Sequence, residues 1–204
     1  MPAKPIRVIV TGGTFDKLYD EIRGELTFKE SALPEILKLV RVEVPVEIEM
    51  NQLIDSIHMQ DVNRASVAEA CKRAPEELII ITHGTDTMVE TAALISSAGL
   101  EKTIVLTGAM VPYRVQGSDA LFNFGSAFSA VQILPHGVWR LPGRGDSSGA
   151  GALYHDDASG HGLCQGSLWP LGEDADRRPR PGGRLQAQST ERDQVHLLDT
   201  QDDV

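Results

Sequence analysis

Arg7-Val-Ile-Val-Thr-Gly-Gly-Thr-Phe-Asp-Lys-Leu-Tyr19 is the stretch from which the fold can be read. Val8, Ile9 and Val10 form a short apolar run closed by a glycine pair, the pattern of a buried strand ending in a tight turn. Thr11 and Thr14 flank that turn. In an open α/β sheet, ligands sit beyond the carboxyl ends of the strands, so such a turn faces the pocket. Gly12 and Gly13 let backbone N–H groups come close to a ligand, and the Thr14 hydroxyl follows at once. That combination is a candidate nucleophile beside a candidate oxyanion hole. It is equally an ordinary strand-to-helix turn with a threonine cap, so the chemistry needs a second element.

Further along, the strand–turn–helix pattern repeats. Residues 16–28 mix charge with Gly24 and read as a loop or hairpin over the turn. Leu33, Ile36, Leu37 and Val40 predict a helix over 31–39, with Ser31 as N-cap and Pro34 in the first turn. Residues 42–50 alternate apolar and acidic side chains, as a half-buried strand near a sheet edge does. A loop over 52–59 and a helix over 61–73 come next. Leu78-Ile-Ile-Ile-Thr82 has no polar alternation and reads as a central parallel strand. A helix over 89–97, a second central strand over 102–106 and a helix over 118–131 complete the series. The fold class is therefore α/β, a doubly wound, mostly parallel sheet flanked by helices. Right-handed crossovers bring three loops to one edge: 11–14, 82–87 and 107–110.

Composition narrows the functions. The 204 residues allow one good domain with an appendage, and 41% hydrophobic content supports a core that is aliphatic, since aromatics are 5%. A net charge of −10 argues against a nucleic-acid partner. Cys71 and Cys164 lie far apart, outside any disulfide or zinc spacing, and read as free thiols in a reducing cytosol. No apolar leader precedes the first strand, and no apolar run approaches the ~18 residues of a membrane span. A cytoplasmic protein with no membrane partner is expected. There is no GxGxxG, Walker lysine or HExxH, and His83 with Asp86 alone makes no metal site, so no cofactor is expected. An aspartate among hydroxyls, as in His83-Gly-Thr-Asp-Thr87, suits recognition of an ammonium group, and threonines from two loops suit acyl transfer.

Thr11-Gly-Gly-Thr14, His83-Gly-Thr-Asp-Thr87 and Thr107-Gly-Ala-Met-Val-Pro112 together resemble the signatures of the bacterial L-asparaginase/glutaminase family. The resemblance covers residues 7–135 and is strongest to short-chain members carrying only the N-terminal domain. It implies that Thr14 is the nucleophile and that Tyr19, on a closing loop, assists it. Gly13 and Ser56 would then bind substrate, Ser56 at the α-carboxylate. Thr85 would be the second threonine, and Asp86 would hold the α-amino group. His58 stands where the family usually has an acidic residue. The implied reaction hydrolyses L-asparagine, and more weakly L-glutamine, through a threonine acyl-enzyme without a cofactor, in a homo-oligomer. Two alternatives are a non-catalytic amino-acid-binding relative and an amidase subunit of an amidotransferase. The second is weakened by the absence of an extra N-terminal domain.

The last third departs from this pattern. The resemblance implies a triad lysine soon after residues 134–138, yet no lysine follows Lys102. His83, Tyr19 or a water would then have to supply the base. From Gly137 onward Ile, Lys, Asn, Met and Phe are all absent, and 11 of the 19 glycines fall there, the composition of a GC-rich gene read out of frame. A native flexible extension is the alternative. The expected division is an asparaginase N-terminal-like domain over 1–136 and an atypical Gly/Arg/Pro-rich tail over 137–204, with Val138 beginning one more strand and little to continue it. The Arg-Gly-Asp at 144–146 carries almost no weight.

Overall fold

Strand β1 (Ile6–Gly12) is buried along nearly its whole length and lies between two parallel neighbours. After it come a hairpin of β2 (Leu18–Asp20) and β3 (Glu25–Thr27), helix α1 (Leu33–Leu39) and strand β4 (Val46–Ile54). Helix α2 (Asp61–Arg73), strand β5 (Leu78–Thr82), helix α3 (Met88–Ser97), strand β6 (Thr103–Thr107) and helix α4 (Ala120–Ile133) continue the alternation. Strands β7 (Gly137–Arg140), β8 (Ala152–Asp156) and β9 (Leu163–Ser167) close the series. This computed structural model describes residues 3–141, 152–156 and 163–167, within one compact unit, Met1–Pro170. A second unit, Leu171–Val204, lies outside the described residues, as do the Arg-Gly-Asp at 144–146 and most of the atypical tail.

The seven-stranded sheet has the order β4-β1-β5-β6-β7-β8-β9, with the first five strands parallel and the last two antiparallel. The chain leaves β1 towards one edge, to β4, and returns to build β5, β6 and β7 on the other side. The order reverses between β1 and β5. Doubly wound sheets bind ligands at the carboxyl ends of the strands beside such a reversal, here those of β1 and β5.

Each sheet face has its own core. Val8, Val10, Ile80 and Val105 pack with Leu33 and Ile36 of α1 and Phe124, Ala127 and Val131 of α4. Ile9, Ile79, Ile81, Ile104 and Leu106 pack with Val67, Ala70 and Cys71 of α2 and Met88, Ala92 and Ile95 of α3. The period of two along each buried strand divides its aliphatic side chains between the faces, which explains why these strands read as unbroken apolar runs. Burial pushes the Cys71 thiol up to about 12, so it behaves as an unreactive apolar group.

Several boundaries differ from the sequence reading, α3, β6 and α4 by one or two residues and α1 and β4 for reasons the packing shows. Helix α1 begins at Leu33, and Ala32 occupies the cap. Ser31 sits one residue earlier, where its Oγ donates to Asp16 Oδ1 (2.8 Å) and accepts from the Leu33 N–H (3.2 Å). Strand β4 begins four residues later than expected, because Ile6 at the start of β1 aligns with Val46. It also runs into the expected 52–59 loop, since Gly12 pairs with Ile54 across a register shift. Its place at the sheet edge is as expected. Past Val138 the sheet runs on, with β7 pairing parallel to β6 and β8 antiparallel to β7. The rings of Trp139 and His155 meet across that last pair at 4.5 Å.

Ile80 lies at the centre of β5 with no exposed surface, so Ile80→Ala should lower stability by about 2–5 kcal/mol. Val62→Ala, on an exposed helix position, should change it by less than about 0.5 kcal/mol. Urea denaturation of both variants checks the contrast.

Candidate active site

The carboxyl ends of β1, β4, β5 and β6 converge because glycines let their backbones touch. Gly12 and Gly13 have φ of +96° and +71°, which only glycine adopts without strain. A side-chain carbon on Gly13 would lie 2.4 Å from the Gly84 nitrogen, and one on Gly84 would lie 2.3 Å from Ser56 Oγ. One on Gly108 would lie 2.4 Å from the His83 carbonyl oxygen. Thr11 adds a link, donating from its hydroxyl to the Thr82 carbonyl at 2.8 Å. The loops expected at one edge do meet there, and the segment carrying Ser56 joins them.

Thr14 opens a single turn of 3₁₀ helix, Thr14–Asp16, that is anchored on every side but its own. Phe15 is fully buried against Phe124, and its carbonyl accepts from the Tyr113 N–H at 3.3 Å. Asp16 is buried, with Oδ1 accepting from the Ser31 hydroxyl (2.8 Å) and the Ala32 N–H (3.0 Å). Burial raises its pKa, the two hydrogen bonds opposing the shift, and Oδ2 has no protein partner. Lys17 pairs with Asp55. Thr14 itself is only half-buried. The Gly13 N–H donates to the Ile54 carbonyl at 2.9 Å, which corrects the expectation of an oxyanion donor at that atom.

Ser56 is fully buried, and its Oγ has no protein partner. Its carbonyl accepts from the Thr87 hydroxyl at 2.9 Å, tying this segment to the turn after β5. On that turn Thr85 is half-buried, with its hydroxyl 3.7 Å from the Met110 sulfur, and Asp86 is exposed. His83 is fully buried beneath them. Its Nδ1 lies 2.7 Å from the Gly84 carbonyl and its Nε2 2.8 Å from the Thr91 hydroxyl. A carbonyl only accepts, so Nδ1 carries the proton and Nε2 accepts from Thr91. Burial lowers the imidazole pKa to about 4, the Gly84 hydrogen bond partly opposing it. A neutral ring with both nitrogens engaged is a strut, which corrects its candidacy as the replacement base.

The third loop is clamped from below. Asp119 accepts from the Met110 and Val111 N–H groups at 2.9–3.0 Å, and Asn123 donates to the Gly108 carbonyl at 2.9 Å. Tyr19 stands apart. It lies on the β2–β3 hairpin with 62% of its surface exposed, and its hydroxyl lies 4.0 Å from the place of a side-chain carbon on Gly24 of that hairpin. His58 is exposed on the short turn after Ser56. Lys102, the last lysine, donates to the Cys71 and Ala74 carbonyls just before β6, at the sheet end opposite the site. Among the described residues, no group of three His, Cys, Asp or Glu side chains could hold a metal ion. No helix among them is long and apolar enough to cross a membrane.

Comparison with known proteins identifies the family and supports the fold. The family model described as "Asparaginase, N-terminal" matches residues 5–138. The chain belongs to the asparaginase family. Curated relatives include a glutamyl-tRNA(Gln) amidotransferase subunit of Saccharolobus islandicus, 33% identical over 161 residues, which are 74% of this chain and 35% of the relative. The corresponding protein of Saccharolobus solfataricus is 32% identical over the same shares. This asparaginase-family chain thus spans about a third of the length of those relatives. The thermostable L-asparaginase from Thermococcus kodakarensis shares the fold with a TM-score of 0.59 at 23% identity, over 83% of this chain and 58% of that one. L-asparaginase I from Vibrio cholerae does so with a TM-score of 0.60 at 22% identity, over 75% and 46%.

Sequence reasoning missed the supports. Asp16, Lys17, Asp55, Asp119 and Asn123 carry no motif, and only the partners that tertiary structure supplies give them a role. His83 gives a measurable one. Its folded pKa lies below the ordinary 6.5, so the unfolded chain binds more protons between pH 6.5 and about 4, and stability is lost as pH falls through that window. Going from pH 7 to pH 5 should cost the chain roughly 2 kcal/mol through this residue. His83→Asn should remove that slope, as chemical denaturation across the pH range will report.

Proposed function

We propose that this chain is an amidohydrolase that converts L-asparagine to L-aspartate and ammonia through an ester on Thr14. The observation that carries the reading is Ser56 Oγ, a buried hydroxyl with no protein partner, packed against Gly84 where the segments bearing Thr14 and the 83–87 turn meet. A buried polar atom without a partner costs about 1–3 kcal/mol, which a substrate carboxylate accepting its proton would offset. On this reading Ser56 holds the α-carboxylate, and Asp86 holds the α-ammonium group from the exposed rim. Gly13 lines the floor by its close approach to Gly84.

Thr14 Oγ then attacks the side-chain amide carbon. The C–N bond breaks as nitrogen takes up a proton and leaves as ammonia, and water hydrolyses the resulting aspartyl ester and restores the hydroxyl. Thr85, from the neighbouring loop, polarises the carbonyl or orients that water. Tyr19 assists Thr14 when the hairpin approaches. Threonine is a weak nucleophile at neutral pH, so rate depends on how well a base reaches it. The catalytic domain would take in β7, which belongs to the same sheet as β1 and β5, in a cytoplasmic homo-oligomer.

A second reading is an amidase subunit that serves an amidotransferase. The curated relatives favour it, since those matched are named as a subunit of glutamyl-tRNA(Gln) amidotransferase. L-Glutamine would compete with L-asparagine at the same site, and one methylene shifts pocket fit by only ~1–3 kcal/mol. The absence of a lysine after Lys102 favours a slow enzyme or an amino-acid-binding relative.

Ammonia release from L-asparagine and L-glutamine tests the proposal, with Thr14→Ala as the control. The unsubstituted chain should release ammonia and Thr14→Ala should lose about a thousandfold or more of that rate. Equal rates in the two proteins would overturn the assignment of Thr14.

A further inference from the structure

The two segments that carry Thr14 and Ser56 part company just where the site begins. Strands β1 and β4 run in register as far as Val10 opposite Met50, then slip, so that Gly12 faces Ile54. The Gly13 N–H to the Ile54 carbonyl, at 2.9 Å, is their last backbone hydrogen bond among the described residues. Beyond it, one chain segment enters the turn that bears Thr14 and the other enters the turn that bears Ser56. With the direct pairing of the two segments at an end, side chains can add to the glycine contacts in fixing the relative placement of those turns.

Lys17 and Asp55 span that gap. The Lys17 N–H closes the Thr14 turn on the Thr14 carbonyl at 3.2 Å, and its ammonium pairs with Asp55 Oδ2. Asp55 immediately precedes Ser56 and caps its turn, Oδ1 accepting from the Ile57 N–H at 3.3 Å. The two side chains are 19% and 21% exposed, so solvent screens the pair less than it would a surface bridge. Burial alone would raise the Asp55 pKa, but Lys17 and the Ile57 N–H outweigh it and hold the carboxyl below its usual range. The ammonium also lies 6.0 Å from the centre of the Phe28 ring, which follows β3 at the open end of the hairpin bearing Tyr19.

We propose that Lys17 and Asp55 are positioning residues that fix the spacing between the Thr14 and Ser56 hydroxyls, and hence the register of a bound amino acid against the nucleophile. The pair touches neither hydroxyl. It acts through the two turns, one closed by the Lys17 backbone and the other capped by the Asp55 side chain. The proposal rests on the reading of Ser56 as the carboxylate-binding group and Thr14 as the nucleophile.

The test is a double-mutant cycle of Lys17→Met, Asp55→Asn and the two together, with Lys17→Arg as the conservative variant. Asparagine keeps an oxygen for the Ile57 N–H and removes only the charge. The readouts are calorimetric affinity for L-aspartate and thermal melting of each protein. Each single substitution should weaken L-aspartate binding by about tenfold, and the double should be no weaker than the worse single by more than about twofold. Lys17→Arg should restore most of the affinity. Variants that melt earlier yet bind L-aspartate like the unsubstituted chain would show a merely structural pair and overturn the proposal. So would two losses that multiply in the double variant. If the unsubstituted chain itself fails to bind L-aspartate, the reading of the site falls, and the proposal with it.

Discussion

Gly13 meets Gly84 so closely that a single side-chain carbon on either would collide with backbone or with Ser56. The rest of the site is arranged around that contact. It lies where the strand order reverses, so the carboxyl ends of β1 and β5 can share one crevice. The slip between β1 and β4 then carries the segment with Ser56 over Gly84. The third loop joins through Gly108, which approaches the carbonyl of His83. Separate stretches of sequence become one surface because glycine occupies each crossing point.

Close approach alone would leave loose loops. Each is held by one polar group: buried Asp16 for the Thr14 turn, buried His83 for the 84–87 turn and half-buried Asp119 for the 108–111 turn. Asp16 and His83 satisfy backbone atoms that would otherwise be buried without partners, and Asp119 gathers two N–H groups of its loop. The groups read as functional are treated differently. Ser56 Oγ has no protein partner, Thr85 has only a weak sulfur contact, and Asp86 is exposed. The supports carry most of the hydrogen bonds, Asp16 Oδ2 excepted, while the candidate ligand groups carry few, the distribution expected of a preorganised site.

How much of this was legible in the sequence depends on the range of the interaction. Helix α2 and strand β5 were read with their observed bounds, because periodicity and an unbroken β-branched run are local signals. The edge position of β4 was legible from its acidic alternation, but its start was not, since pairing with Ile6 sets it. The convergence of three loops followed from strand–turn–helix repetition and crossover handedness. The state of each group did not. Whether Gly13 N–H is open, whether His83 is neutral and whether Tyr19 is covered all depend on partners elsewhere in the chain or on none at all. Ser31 shows the limit at short range: a residue suited to capping α1 lies one place early, tied to the buried Asp16.

The central claim is that the crevice between β1 and β5 holds an amino acid against Thr14. A crystal structure of the chain soaked with L-aspartate tests it most directly. The account predicts an α-carboxylate within hydrogen-bond distance of Ser56 Oγ, an α-ammonium at Asp86 and the side-chain carboxyl facing the Thr14 hydroxyl. L-Aspartate bound elsewhere, or Ser56 Oγ satisfied by another group of the chain while the crevice stays closed to it, would contradict the account.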